Sequence, residues 1–182
     1  MERKVCENVI KERHSTRSFS GEEVSMADVM EILEAGRLAP SAKNRQPWAF
    51  YVLSNEEKED VVNMFIKRLE EHNTEATGFA SARIMKEASK VVLVFMDNKN
   101  EYDRTTDLLS VGACIENMLL RATELDVSSL WVYDVCVVAD ELKEIAKASG
   151  RLVSAVILGK SNTDSKRAIK KELKDIIINK NI

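Results

Sequence analysis

Apolar residues recur along this chain with two different periods, and these periods predict an alternation of helices and strands. A spacing of three to four residues, typical of a helix with one buried face, recurs over residues 2–13, 26–38, 55–69, 81–89 and 140–149. Runs rich in β-branched and aromatic residues, typical of strands, cover residues 48–53, 90–96, 129–138 and 152–158. The pattern predicts a sheet covered by helices.

Capping residues predict where several of these helices begin and end. Ser25 followed by Asp28 resembles a capping box, and Pro40 disfavours helical geometry at the residue before it, so the second helix should stop near residue 38. Asn55, which precedes two glutamates, is the predicted cap of the third helix. Gly150 is expected to close the helix over residues 140–149.

Further stretches predict how the chain is buried. The unbroken apolar run over residues 91–96 favours a strand buried on both faces. A helix expected over residues 106–125 is apolar around more than half of its circumference, so the core or a partner subunit must cover it. Residues 72–80 predict a polar loop or lid, and residues 164–178 an amphipathic tail. We expect one α/β or α+β domain over residues 1–182, with a sheet between helix layers.

Composition narrows the possible partners. The 182 residues include 27 Lys and Arg against 30 Asp and Glu, a net charge of −3, and no basic helix carries interleaved aromatic residues, so we expect no nucleic acid. The longest apolar run, Val91 to Met96, is far shorter than the roughly 20 residues that cross a bilayer, so we expect no membrane partner. The charged N-terminal residues lack the apolar region of a secretory signal, which predicts a cytoplasmic location.

Cysteines, histidines and glycines argue against several kinds of site. The three widely spaced cysteines do not suit a disulfide framework or a structural zinc site, and each is predicted to be a small buried hydrophobe. His14 and His72 are too few for a histidine-rich metal site. Neither a dinucleotide-binding nor a P-loop glycine motif occurs, so side chains would have to bind any phosphate.

One short segment suits an anionic ligand. Arg13, Ser15 and Arg17 alternate, so in an extended segment their side chains share one face. Two guanidinium groups that flank a hydroxyl form a fork suited to a phosphate or another anion. A solvated strand face with ion pairs would give the same pattern.

A second segment, the octapeptide from Pro40 to Pro47, holds both prolines of the chain. It lies between a predicted helix end and a predicted strand, and it offers Ser41, Asn44 and Gln46 as donors and acceptors. Prolines stiffen such a loop, and loops on a rigid scaffold often bind ligands. A purely structural turn is the alternative.

Together these segments resemble the N-terminal signature of the nitroreductase family of FMN-dependent oxidoreductases. The resemblance rests on the sequences Arg13-His-Ser-Thr-Arg17 and Ala39-Pro-Ser-Ala-Lys-Asn-Arg-Gln-Pro-Trp48. It continues through residues 88–95, 107–122 and 154–159, and so covers nearly the whole chain.

The resemblance implies a nitroreductase-like FMN-binding fold of the α+β class. This fold is an α/β/α sandwich with a mixed, mostly antiparallel central sheet flanked by helices, and it forms an intertwined homodimer with FMN at the subunit interface. The helix over residues 106–125 would then lie in the dimer core. That position would account for its broad apolar surface.

The resemblance also nominates cofactor-binding residues. Arg13, His14 and Ser15 would bind FMN, and Arg17 would lie near the N1/O2 region, where its cation stabilises the reduced ring. The partner subunit would contribute five residues of the second segment: Pro40, Ser41, Ala42, Asn44 and Gln46.

Family members transfer a hydride from NADH or NADPH to flavin N5, release the oxidised nicotinamide and then admit a small acceptor to the same face. Nitroaromatics, quinones and enones are acceptors of this kind. The flavin carries the chemistry, so no catalytic side chain and no metal are expected.

Three places depart from the family pattern. Many members have Gly-Leu-Gly-Ser where this chain has Asp126-Val-Ser-Ser129, which bears on the backbone contacts to flavin N5 expected at Ser129 and Leu130. The family's basic C-terminal phosphate ligand matches Arg167 or Lys170. Arg83 lies near a second position for the pyrimidine end of the flavin.

Two alternatives share the same resemblance. One is a specialised flavin enzyme, a reductive dehalogenase or a flavin-modifying enzyme, which would need an ordered lid over its substrate. The other is a flavin-binding protein without catalytic activity.

Overall fold

The computed structural model describes residues 6–72, 76–97, 104–163 and 167–179. Its α-helices are α1 Cys6–Glu12, α2 Met26–Arg37, α3 Asn55–Glu71, α4 Ala76–Glu87, α5 Arg104–Glu124, α6 Ala139–Ala146 and α7 Leu173–Ile176. Its strands are β1 Trp48–Val52, β2 Lys90–Met96, β3 Ser128–Val132 and β4 Arg151–Gly159. Short 3₁₀ helices cover Ala42–Asn44 and Asp134–Val138.

The strands form one sheet in the order β1-β2-β4-β3, with every neighbouring pair antiparallel. A single parallel bridge joins Ser15 to Ser129 at the outer edge of β3, so the extended segment after α1 is fastened to the sheet. The predicted sandwich with a mixed, mostly antiparallel sheet is confirmed.

Strand β2 is buried on both faces, as its unbroken apolar sequence predicted. Val91, Leu93 and Phe95 belong to the core layer beneath α3, α4 and α6. Val92 and Val94 belong to the opposite layer, beneath α2 and α5. The alternation of side chains along a strand therefore divides one apolar run between two cores.

Helix α5 is covered on one side by its own chain and exposed on another. Gly36 of α2 permits the close approach of these two helices, because a Cβ at that position would lie 2.7 Å from Met118 Cγ of α5. Leu109, on the same helix α5, is 71% exposed. One chain thus accounts for only part of the apolar circumference of α5.

Several predicted ends differ from the structure. Ser54, not Asn55, caps α3, because its hydroxyl accepts from Glu57 N–H while the Glu57 carboxylate accepts from Ser54 N–H. Lys147 in a left-handed conformation closes α6, and Gly150 lies beyond this end. The actual caps lie one residue before the predicted Asn55 and three residues before the predicted Gly150.

Two predicted segments also have a different structure. The strand expected over residues 129–138 ends at Val132, and Val135 and Val138, three residues apart, become the buried side of a 3₁₀ helix. The loop or lid expected over residues 72–80 is wrong as a loop from Ala76 onward, because α4 already begins there; residues 73–75 lie outside the described residues. Over residues 167–178 of the tail, helical structure is limited to α7.

The cysteines differ in burial, which predicts selective modification. Cys114 is buried and Cys136 half-buried, and burial raises the pKa of these thiols to about 12 and about 11. Cys6 is exposed, so the prediction that it is buried is wrong.

Because the thiolate is the reactive form, iodoacetamide at pH 8 is expected to modify Cys6 alone in the folded protein. Peptide mass mapping would check this, with urea-unfolded protein as the control that labels all three; rapid native labelling of Cys136 would contradict it.

Candidate functional site

The segment that follows α1 is extended, as predicted, and it is joined to strand β3 of the sheet. Thr16 N–H donates to Ser129 O at 2.9 Å. His14 and Thr16 line a cavity of about 300 Å³ at the start of β3, whereas Arg13 and Arg17 do not. The period of two thus divides the predicted ligands between two faces of the segment.

The cavity brings three predicted site residues together: His14, Ser129 and Arg167. His14 Nδ1 lies 2.8 Å from Glu12 O, and Arg167 Nη1 donates to Lys11 O at 3.1 Å. Within the described part of the chain, the buried Thr16 hydroxyl has no hydrogen-bond partner. Such a buried, unpaired hydroxyl is costly and suits a polar ligand at this place.

The two guanidinium groups of the fork have different surroundings. Arg13 is partly buried, and its Nε lies 3.0 Å from Glu116 Oε1 of α5. Arg17 is exposed, and its Nη1 donates a long 3.4 Å hydrogen bond to Ser15 O. Arg13 is therefore held in place, while Arg17 can reorient toward a ligand.

The second predicted segment is an unusual loop. Lys43, Asn44 and Gln46 all have positive φ angles, of 53°, 53° and 48°. Each such conformation in a residue other than glycine costs on the order of 1 kcal/mol or more, and it persists only where its surroundings fix it. Gln46 N–H donates to Ser41 Oγ at 2.9 Å, which closes the loop on itself.

Sequence reasoning missed the residues that fasten this loop to α5. Arg45 Nε donates to Asp107 Oδ1 at 2.9 Å, and Arg45 Nη2 donates to Thr106 Oγ1 at 2.7 Å. Ala42 N–H donates to Ser110 Oγ at 3.2 Å. Asp107 is 95% buried, since only 5% of its surface is exposed. The sequence did contain one signal for such a pair, a carboxylate in the first turn of a largely apolar helix, but it was not used.

One chain holds the two segments at different levels of α5. The loop contacts Ser110, whereas Arg13 contacts Glu116 and the cavity reaches Thr123. At a rise of 1.5 Å per residue, these contacts lie about 9 to 20 Å apart along the helix axis.

Three other predicted residues lie outside the segment over residues 13–17, the cavity and the loop over residues 40–46. Arg83 is on the exposed side of α4, 3.9 Å from Glu87, and α4 lies on the face of the sheet opposite α2 and α5. The Leu130 side chain belongs to the core, and Leu130 pairs with Ile157 of β4. Lys170 is exposed in the tail. Their roles as cofactor ligands stay predictions.

Several large apolar side chains of α2, α5 and the tail are exposed. More than half of the surface is exposed for two residues of α2, Met26 and Met30, for Leu38 at the end of this helix, and for Leu109 of α5. The tail adds four more: Ile169, Leu173, Ile176 and Ile178. An exposed set of this size is characteristic of a protein interface.

The chain matches the model of the nitroreductase family over residues 10–160. A protein of Archaeoglobus fulgidus named "Putative NADH dehydrogenase/NAD(P)H nitroreductase" is 32% identical over 128 residues, which cover 70% of this chain and 66% of that protein. The match thus spans slightly less than two thirds of that relative.

Solved structures have the same fold. A Desulfitobacterium hafniense nitroreductase with bound FMN superposes with a TM-score of 0.77 at 24% identity, over 94% of this chain and 96% of that chain. A BluB-like flavoprotein from Clostridium difficile gives 0.80 at 25% identity, over 96% and 98%.

The fold is that of the nitroreductases among these structures, and the family match covers most of the chain. This protein belongs to the nitroreductase family. The prediction of this family from the two N-terminal segments is confirmed.

The donors present fit FMN. On one face of the segment, the guanidinium group of Arg13 suits a phosphate, the hydroxyl of Ser15 suits polar groups of the ribityl chain, and the exposed Arg17 suits the electron-rich pyrimidine end. On the cavity face, Arg167 and the unpaired hydroxyl of Thr16 are further groups that suit a polar ligand. Within the described ranges, no group of three or more His, Cys, Asp or Glu side chains could hold a metal ion. No helix of the described chain is long and apolar enough to cross a membrane.

Proposed function

We propose that two copies of this chain, each folded as one domain over residues 1–182, bind FMN between them and pass reducing equivalents from NADH or NADPH to a small acceptor. A nitroaromatic, a quinone or an enone is an acceptor of the expected class. The observation that carries this proposal is the set of donors on the segment over residues 13–17, within a chain of the nitroreductase family. We also propose a cytoplasmic location, in keeping with three free cysteines among the described residues.

The separation of the two segments supports a site made from two subunits. The loop over residues 40–46 and the segment over residues 13–17 contact different levels of α5, and the two amide side chains of the loop, Asn44 and Gln46, are exposed. A second chain related by a two-fold axis brings the loop of one copy to the segment of the other. The same arrangement covers Leu109 and the apolar tail.

Each part of the chain has a distinct task in this proposal. Arg13 and Ser15, which share one face of the segment, hold the phosphate and ribityl end of the cofactor. Of the two basic tail candidates, Arg167 is the better placed, because it lines the cavity on the other face of the same segment. Arg17 stabilises negative charge at the pyrimidine end. Ser41, Asn44 and Gln46 of the partner orient the ring with hydrogen bonds and leave one face open.

When bound, FMN supplies the hydride and electron chemistry. The protein contributes positioning, charge and access, and no side chain has to act as a nucleophile. The raised pKa values of Cys114 and Cys136, caused by burial, keep both thiols protonated near neutral pH. The short connection between α3 and α4 leaves little chain for the lid that a specialised dehalogenase or flavin-modifying enzyme would need.

Reconstitution with FMN tests this function. The purified protein is expected to bind one FMN per chain, and anaerobic mixing with NADH or NADPH is expected to bleach the flavin absorbance, which a nitroaromatic or quinone then restores. Free FMN mixed with the same nicotinamide is the control for uncatalysed reduction. A protein that binds no FMN would overturn the proposal. Binding without bleaching by either nicotinamide would instead favour the flavin-binding protein without catalytic activity.

A further inference from the structure

We propose that the ion pair between Arg45 and Asp107 is a positioning device, which holds the loop over residues 40–46 in its strained conformation and thereby sets the affinity of the neighbouring subunit for FMN. The inference rests on the proposed function, because the loop is taken to reach the partner's cofactor. Neither residue belongs to the set that the sequence nominated. Arg45 acts through the loop and does not itself touch the flavin.

The loop needs an external constraint. Lys43, Asn44 and Gln46 lie in the left-handed region, and Arg45 lies between them with an ordinary φ of −70°. No glycine occurs between Gly36 and Gly78 to relieve the strain. Within the loop, the contact of Gln46 N–H with Ser41 Oγ and the 3₁₀ hydrogen bonds are local, so they move with the loop and cannot anchor it to the scaffold.

Arg45 supplies that constraint from a rigid element. Both its Nε and its Nη2 lie within 2.9 Å of Asp107 Oδ1, and Nη2 also donates to Thr106 Oγ1. Two donors on one buried carboxylate fix the orientation of the guanidinium plane as well as its distance. The pair joins positions 62 residues apart, and an ion pair with a buried member is strongly favoured over one unpaired buried charge.

The direction of the Arg45 side chain determines which way the side chains of its two neighbours in the loop face. Arg45 is half-buried against α5 of its own chain, whereas Asn44 and Gln46 on either side of it are exposed. The amide groups expected to meet the partner's flavin are therefore held outward before any ligand arrives. A loop ordered in advance loses less conformational entropy on binding, which raises affinity.

The test measures two quantities in each variant: the FMN dissociation constant, and the order of the loop in flavin-free protein. We expect Arg45→Ala to raise the FMN dissociation constant about 10- to 30-fold, and to speed hydrogen exchange at the amides of Ala42 and Gln46. Adding Lys43→Gly to Arg45→Ala is expected to recover part of the affinity, because glycine adopts the left-handed conformation without strain. Lys43→Gly alone is expected to leave the constant unchanged. Arg37→Ala, which removes an exposed arginine paired with Glu34 on α2, is the matched control and should change neither measurement.

The outcomes separate this inference from the proposed function. An Arg45→Ala protein that folds and retains wild-type FMN affinity overturns the positioning role. Weaker binding without faster exchange, or without recovery by Lys43→Gly, also overturns it. Should Arg45→Ala fail to fold, Asp107→Asn, which keeps the shape and one acceptor oxygen but removes the charge, is expected to give the same loss and is read by the same criteria. If wild-type protein binds no FMN, the proposed function fails, while hydrogen exchange in the flavin-free variants still decides whether the ion pair orders the loop.

Discussion

Replacing Leu109 with arginine is expected to split the proposed dimer into single chains and to weaken FMN binding by at least about 100-fold. Leu109 is exposed on α5, so the change leaves the core of one chain intact. In a dimer with a two-fold axis the substitution occurs twice, and each copy forfeits about 1.5–3 kcal/mol of apolar burial. Each copy also adds an unpaired charge to the interface, which costs further free energy.

Light scattering after gel filtration, together with FMN titration, checks this result. Asn63→Arg adds the same charge on the exposed side of α3, across the sheet from α5, and should leave both mass and affinity unchanged. A Leu109→Arg protein that still forms dimers would exclude this surface of α5 from the interface. A wild-type protein that binds FMN as a single chain would contradict the two-subunit site itself.

Arg13→Ala is expected to weaken FMN binding by about 1.5–3 kcal/mol, which corresponds to a factor of roughly 10 to 150. The guanidinium is already positioned by Glu116, so it contributes a charge-assisted hydrogen bond with little loss of side-chain entropy. Glu116 is itself 44% exposed at its side chain, so removal of Arg13 leaves no deeply buried charge behind. The loss should therefore appear in FMN affinity with little change in stability.

Glu116→Gln is not expected to weaken FMN binding as Arg13→Ala does. It removes a negative charge beside Arg13, so the positive potential at the segment increases and FMN binding should be retained or tightened. Fluorescence titration of flavin-free protein measures both constants, and thermal unfolding of the same samples reports stability. Unchanged affinity in Arg13→Ala would place the phosphate site elsewhere on the chain.

Local sequence was sufficient for the elements that have one strong signal. The stripe over α2 ends before Pro40, and the unbroken run of β2 is buried on both faces, because these features depend on residues close in the chain. The same local reasoning placed a strand through Val135, where the structure has a 3₁₀ helix. An apolar run alone does not distinguish these two conformations, since both bury side chains.

The candidate site was predictable in its composition and not in its arrangement. The alternation of Arg13, Ser15 and Arg17 predicted a shared face, and the structure separates them from His14 and Arg167, which line the cavity. The cavity depends on the bridge from Ser15 to Ser129, a contact between residues more than a hundred positions apart. No local pattern specifies such a pairing.

By itself, the sequence determined the family, the order of most helices and strands, and the two segments that carry its donors. These follow from periodicity, from prolines and from short motifs, all of which act within a few residues. Only the tertiary structure decided that Arg45 reaches Asp107 and that the two segments contact different levels of α5. The reason is that burial and ion pairing depend on distances through space, which are fixed only when the sheet and both helix layers pack together.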